Sequence, residues 1–575
     1  WHDWQSTVPI TVTGDDSFDG CTYGIIAVTN LGEKDGKALV GRIKPDDINT
    51  GSELANLLQT TAWSGSGEEA NAFIMSTHND TYGSGATATE IFDKVVLREN
   101  STETNPVEAT IHVERLAAKI RIQETSTSGV SDFIYKTGTG DSEAKVRLDH
   151  VAIVNQLTSG TYLLKRVTSN TTDNPADIPA QTDGHDNYLG NEVWAATGAS
   201  NYVIDPWTRA KTANAVGTAV TSATLTPAGS PTGVTSATLS YDNPFIADAT
   251  AKGYTNGTYG AMWNSLPDGT TQLAGNTAFD TEDAQVLLAY TQENTTSAAN
   301  SLNGYSTGAL FKATYFPKKY MATTTSGQTT SVSAVEVDYN GDTEGYGYDE
   351  ITAGSPAQGD QEKVEATKGV TFYVYGSSDG ENLNVYRDYE AIFNYYVFGI
   401  QSALRGQSGA TIYAYSDFMN GKITNIKKAD FKAHMLGSGS YNDPLGYIAH
   451  LIKECDGAAK DETFAITDAI ETWVGAKTQT DYANAGINTY TGGVCYYPYW
   501  IKHADNSVDT EMGIMEFAIV RNNIYDLAVS SISGLGLSDI DKPKPGDKDE
   551  DDKLYLNVRI LVKNWVVRSN SGIVL

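Results

Sequence analysis

The feature that most constrains this chain stands at its end. Leu554, Leu556, Val558, Ile560 and Val562 alternate with Tyr555, Asn557, Arg559, Leu561 and Lys563, and Trp565 and Val567 extend the run. A period of two lines up one apolar row on one face of a β-strand. Ahead of it lies Asp541–Lys553, a polar stretch whose Pro543, Pro545 and mixed charges favour an extended, solvated tether. A strand set apart in this way exposes both an apolar row and unpaired backbone groups, which is unfavourable. It has to add to a sheet edge, either in its own body or in another molecule.

The body is long enough, at 575 residues, to bury a large core. Its 33 tyrosines, 54 glycines and dispersed Ser and Thr, with only 19% charged residues, match a large extracellular β-protein. A net charge of −31 (40 Lys and Arg against 71 Asp and Glu) argues against nucleic acid and anionic lipid as partners. There is no apolar run of membrane-spanning length. The three cysteines, Cys21, Cys455 and Cys495, exclude a disulfide-dense scaffold and the usual four-Cys zinc sites. A start at Trp1 rather than Met is the expectation for a processed form.

Patterning divides the chain into segments. Strands are expected at 9–13, 24–29, 146–154 and 163–167, with one helical pattern between Gly51 and Trp63 carrying Leu54, Leu57 and Leu58. Val107 to Ile122 is the longest strand pattern. Its apolar positions run Val107, Ala109, Ile111, Val113 and then change phase to Leu116, Ala118, Ile120, Ile122. One extra residue exchanges the faces of a strand, so a bulge or break is expected near Glu114 and Arg115. A Thr/Asn/Asp/Pro stretch from Thr168 to Thr182 then suggests a boundary. The expected layout is 1–167 as an N-terminal domain, 168–540 as a C-terminal domain with large insertions, 541–553 as tether and 554–575 as a spare strand segment. Within the second domain, 286–290, 332–337 and 370–375 read as strands, while 383–404 and 443–455 read as helical insertions. Asp443 followed by Pro444 suits a helix start. Near the end, 515–529 reads as strand, turn, strand. No fixed-period repeat is present.

Chemical motifs are weak. Gly376-Ser-Ser-Asp-Gly380 has the form of a nucleophile elbow but lacks the helix that must follow it, and reads better as a hairpin turn. His503, beside Tyr496, Tyr497, Tyr499 and Trp500, reads as a structural histidine. Asp547, Asp549 and Asp551 have calcium-like spacing but lack the sixth-position Gly. Gly475 to Thr478 is not a P-loop. Cys455 and Cys495 read equally as a bridge or as separate thiols. Neither a catalytic site nor a metal or cofactor site emerges, and the chain is not expected to be an enzyme.

Five stretches resemble the fimbrilin family, the type V pilus subunits of Bacteroidales. They are Ile25–Asn30, Asn71–Ser76, Val113–Ile120 with its continuation 146–155, the block Met515-Glu-Phe-Ala-Ile-Val-Arg-Asn-Asn-Ile-Tyr525, and the closing 554–558 and 562–567. The resemblance covers about 1–167 and 494–575; the middle departs in length and content. It implies two transthyretin-like β-sandwich domains, so that with the patterning the expected fold is mainly β, with the helical insertions of the second domain as a departure from the family. It also implies a lipoprotein precursor whose first strand is removed by a trypsin-like protease, leaving Trp1 as the residue after the cut. A neighbour's C-terminal strand would then fill the vacated groove, giving an extracellular, cell-surface fimbria that supports adhesion and colonisation. Leu554, Leu556, Val558, Ile560, Val562, Trp565 and Val567 would form that donor strand. The implied partners are identical subunits, accessory fimbrial subunits and an unidentified surface ligand, with membrane contact only through the lipidated precursor. The alternatives are a fimbrial tip adhesin or carbohydrate-binding subunit, and return of the last strand to its own domain, in whole or in its first half.

Overall fold

A computed structural model describes residues 19–25, 27–30, 33–34, 37–38, 58–59, 73–77, 93–102, 104–124, 133–157, 161–163, 165–168, 202–205, 241–242, 263–266, 279–280, 285–295, 306–326, 329–339, 369–375, 383–388, 390–392, 394–395, 487–503, 516–538, 556–564 and 568–574. They are mainly β. The strands of the three large sheets are, in chain order, β1 (Val28–Thr29), β2 (Met75–Thr77), β3 (Glu108–Arg115), β4 (Ala118–Glu124), β5 (Ile134–Thr137), β6 (Ala144–Val154), β7 (Asn264–Ser265), β8 (Phe279–Asp280), β9 (Gln285–Thr291), β10 (Gly308–Pro317), β11 (Val494–Trp500), β12 (Asn523–Ile532), β13 (Leu556–Asn564) and β14 (Arg568–Val574).

Two five-stranded sheets enclose the main core. One has the order β8-β9-β4-β12-β13; the other has β5-β6-β10-β11, with β7 also paired to β6. Only β12 with β4 is a parallel pair within these sheets. Ala118, Ile120 and Ile122 of β4 and Tyr525, Leu527 and Val529 of β12 meet Val146 and Leu148 of β6, Phe311 and Ala313 of β10, and Cys495 and Tyr497 of β11. Each set is spaced two apart, as a sheet face requires. The alternate residues of the second sheet, Val154, Leu310, Tyr496 and Trp500, form a separate cluster with Phe517. Gly308 opens β10 because a Cβ there would sit 2.8 Å from the Trp500 ring and the Tyr499 carbonyl.

A four-stranded sheet, β1-β2-β3-β14, is built from the N-terminal part and the chain's last strand. The phase switch in 107–122 is where the chain leaves this sheet for the sandwich. Ala109, Ile111 and Val113 are buried on β3, and Ala118, Ile120 and Ile122 on β4. The break falls at Leu116 and Ala117, one to two residues past the expected point. Leu116 packs with Ile74 and Leu163 in its own cluster.

Several expectations need correction. Within the helical pattern at 51–63, Leu58–Gln59 form a short strand on Thr161–Tyr162, and the rest of that pattern lies outside the described residues. Thr161 and Tyr162 are almost fully buried, and backbone pairing there outweighs a three-leucine helical period. Within the first half of 515–529, residues 516–520 are not a strand but carry a single bridge, Ile519 to Asn294. Apart from these corrections, sheet pairing joins residues on either side of 167: β4 pairs with β9 and β12, and β6 with β10, so residues 118–154 share sheets with residues 285–532. Of the patch at 383–404, residues 390–392 and 394–395 are helical, with the Asp388 carboxylate accepting from the Ala391 amide at 2.8 Å. Residues 383–388 of that patch are not helical, Tyr386 instead bridging to Tyr373 and Met321, while 389, 393, 396–404, the patch at 443–455 and the strand at 9–13 lie outside the described residues.

Phe311 has no exposed surface and sits at the centre of the main core. Phe311→Ala should lower unfolding stability by about 3–5 kcal/mol, read as a shift in the urea midpoint at unchanged slope.

Candidate functional site

The C-terminal strands are the site that the sequence singles out. β13 lies on β12 in antiparallel register, with Leu556 opposite Ile532, Val558 opposite Val529, Ile560 opposite Leu527 and Val562 opposite Tyr525. Ile560 packs against the main core. β14 crosses to the other sheet and runs antiparallel to β3, with Arg568 opposite Val113 and Val574 opposite Glu108. Its register slips once, between Asn570 and Ile573. The last strands thus occupy the edges of two different sheets. Leu554, Trp565, Val567, Trp1 and the tether 541–553 lie outside the described residues.

A buried polar junction, which sequence reading missed, ties these two sheets together. Arg521 is fully buried, with its Nε and Nη2 donating to the two Glu293 oxygens at 2.8 and 2.6 Å. The same guanidinium donates to the carbonyls of Tyr162 (2.6 Å) and Leu163 (3.2 Å) and to the Thr161 hydroxyl (3.3 Å). Burial pushes the Glu293 carboxyl above its ordinary value, and Arg521 opposes that rise. Beside it, Lys165 pairs with the buried Glu114 at 2.9 Å. Asn522 adopts a left-handed conformation (φ 56°), which Asn tolerates better than most residues. In that pose its amide donates to the Ala117 carbonyl at 2.9 Å, and its side-chain oxygen accepts from the Arg115 amide. It therefore bonds to both sides of the break between β3 and β4. One turn on, Asp526 receives Nε and Nη2 of Arg121 at 2.7 and 2.9 Å, from the residue directly opposite it in the parallel pair. The available signal was charge inside an apolar pattern, at Arg521 and Asp526.

His503 belongs to the same junction, and its Nδ1 lies 2.9 Å from the Tyr525 hydroxyl. The same oxygen accepts the Val520 amide at 2.8 Å and donates to the Ala518 carbonyl at 3.4 Å. Burial, helped by the charge of Lys165, lowers the His503 pKa from 6.5 to about 4. Cys495 is a buried thiol in no disulfide, and burial raises its pKa to about 12. Cys21 is exposed. Cys455 and the sequences at 376–380, 475–478 and 547–551 lie outside the described residues. Among the described residues no group of three or more His, Cys, Asp or Glu could hold a metal ion, and no helix is long and apolar enough to cross a membrane.

Residues 488–571 match the family model described as major fimbrial subunit protein type IV, fimbrillin, C-terminal. The matched stretch contains β11, β12, β13, the Arg521 block and the start of β14. It supports a protein of the fimbrilin family, in line with the resemblance seen in the sequence. No curated protein matched the chain.

Arg521→Met should cost about 3–5 kcal/mol, because it strands a buried carboxylate. Adding Glu293→Leu should recover part of this but not all, since the Tyr162 and Leu163 carbonyls still lack their donor. A double-mutant cycle in urea checks both outcomes. For His503, the folded state binds fewer protons than the unfolded state between pH 6.5 and about 4. Its contribution is present above pH 6.5 and is lost as pH falls toward 4, by about 3 kcal/mol in total. His503→Gln should flatten that part of the stability profile, measured as urea midpoint against pH.

Proposed function

We propose that this chain is a structural subunit of a cell-surface fimbria, polymerising with like subunits by donor-strand exchange. The observation that carries the reading is the fimbrillin C-terminal match over the segment holding the edge strands β13 and β14. In this reading the N-terminal sheet β1-β2-β3 is the acceptor of each subunit, and the end of the preceding or following subunit supplies the added strand. β13, with nine residues on β12 and Ile560 against the core, is the part that stays at home. β14 is the part that exchanges. This narrows the donor from 554–575 to its last third or so and leaves Leu556, Val558, Ile560 and Val562 as anchor. The two-domain layout belongs to the same proposal, with the four-stranded sheet and the sandwich as the two units. So do proteolytic removal of a preceding strand to leave Trp1, a lipidated outer-membrane precursor, accessory subunits, and a role in adhesion and colonisation. The chain's chemistry is that of assembly, without catalysis.

Removing residues 566–575 should leave a folded, soluble subunit with its near-ultraviolet circular dichroism preserved. It should form no filaments in negative-stain images under conditions in which the full chain does. Filaments of normal length from the shortened chain would count against the reading.

A further inference from the structure

We infer that the free subunit is self-capped: β14 occupies, in its own chain, the β3 edge that a second copy's β14 takes in a filament. The inference rests on the assembly reading above and adds its regulation. Among the described residues β3 has two neighbours, β2 and β14, so departure of β14 leaves that edge of β3 unpaired. Ala109, Ile111 and Val113 of β3 are buried. Such an edge, with a free row of N–H and C=O groups, is a template for another strand. The strand that fits it is already specified: residues 568–574 in the register Arg568 to Val113, Ser569 to His112 and Asn570 to Ile111. A second copy carries the identical strand, so the same surface serves both partners.

Which partner wins is a matter of concentration. Only residues 565–567 separate β13 from β14, and β13 is anchored on β12. A strand held on so short a connection meets its own acceptor at an effective concentration in the millimolar range. A neighbour's strand at micromolar subunit concentration cannot match that. The closed form therefore dominates in dilute solution, and assembly waits on release of β14. The slipped register between Asn570 and Ile573 leaves one residue of β14 outside the regular ladder.

The test staples the closed form. His112 and Ser569 are directly opposite across the antiparallel pair, and opposed residues of such a pair lie within disulfide-forming range. In a Cys21→Ser, Cys455→Ser background, His112→Cys with Ser569→Cys should oxidise within one chain when dilute. The product should run as a compact monomer on a non-reducing gel and form no filaments until reduced. Failure of the intrachain bond to form, or filaments from the stapled monomer at the rate of the reduced one, would overturn the inference. A second measurement does not need filaments. A labelled peptide of residues 566–575 should bind the chain lacking 566–575 at least tenfold more tightly than the intact chain, by fluorescence anisotropy. Equal binding would also overturn self-capping. Filaments from the shortened chain, by contrast, refute the assembly reading while leaving the staple and peptide results to judge where β14 sits.

Discussion

A guanidinium with no exposed surface is the constraint around which this molecule is arranged. Taking Arg521 and Glu293 out of water is costly, and their mutual attraction offsets that only if the remaining donors find acceptors. The fold supplies them from a distant part of the chain, the carbonyls of Tyr162 and Leu163 and the hydroxyl of Thr161. Residues near 162, 293 and 521 must therefore converge in one place. Because 161–163 follow β6, 293 follows β9 and 521 precedes β12, convergence sets how three strand ends meet at one end of the sandwich.

Asn522 extends that constraint to the N-terminal sheet. Its left-handed backbone and its side chain bond to both flanks of the Leu116–Ala117 break, so β3 and β4 leave the junction in fixed directions. Packing then consolidates it: Leu116 joins Ile74 and Leu163, while the guanidinium of Arg115 lies 5.8 Å from the centre of the Phe73 ring. Phe73 in turn meets Tyr290 of β9. A polar lock with an apolar rim holds the two sheets more specifically than either could alone, since a slip of one residue would strand several buried charges.

The chain's end uses the frame that this junction creates. Once the two sheets are held side by side, a single segment can add one strand to each, β13 to the sandwich and β14 to the N-terminal sheet. Each closes an edge that would otherwise invite a foreign strand. The same geometry makes the last strand separable from the rest, because its partners all lie in the other sheet.

Local pattern alone determined where several strands lie. The alternation in 556–563, the phase switch in 107–122 and the runs at 146–154 and 286–290 all fall on strands, because side-chain alternation is a property of the strand itself. The fimbrilin-like character of the C-terminal segment was likewise legible in the block 515–525 and the closing strands, which fall within the matched residues 488–571. Only the tertiary structure decided which strands pair, and it sent 118–154 into sheets with 285–532, across a boundary suggested by composition at 167. It also turned Leu58 and Gln59 into a strand and brought Glu293 to Arg521 across 228 residues. The physical reason is common to all three. Pairing partners and buried counter-charges are non-local, and neither the period of a segment nor its composition carries the identity of a distant neighbour.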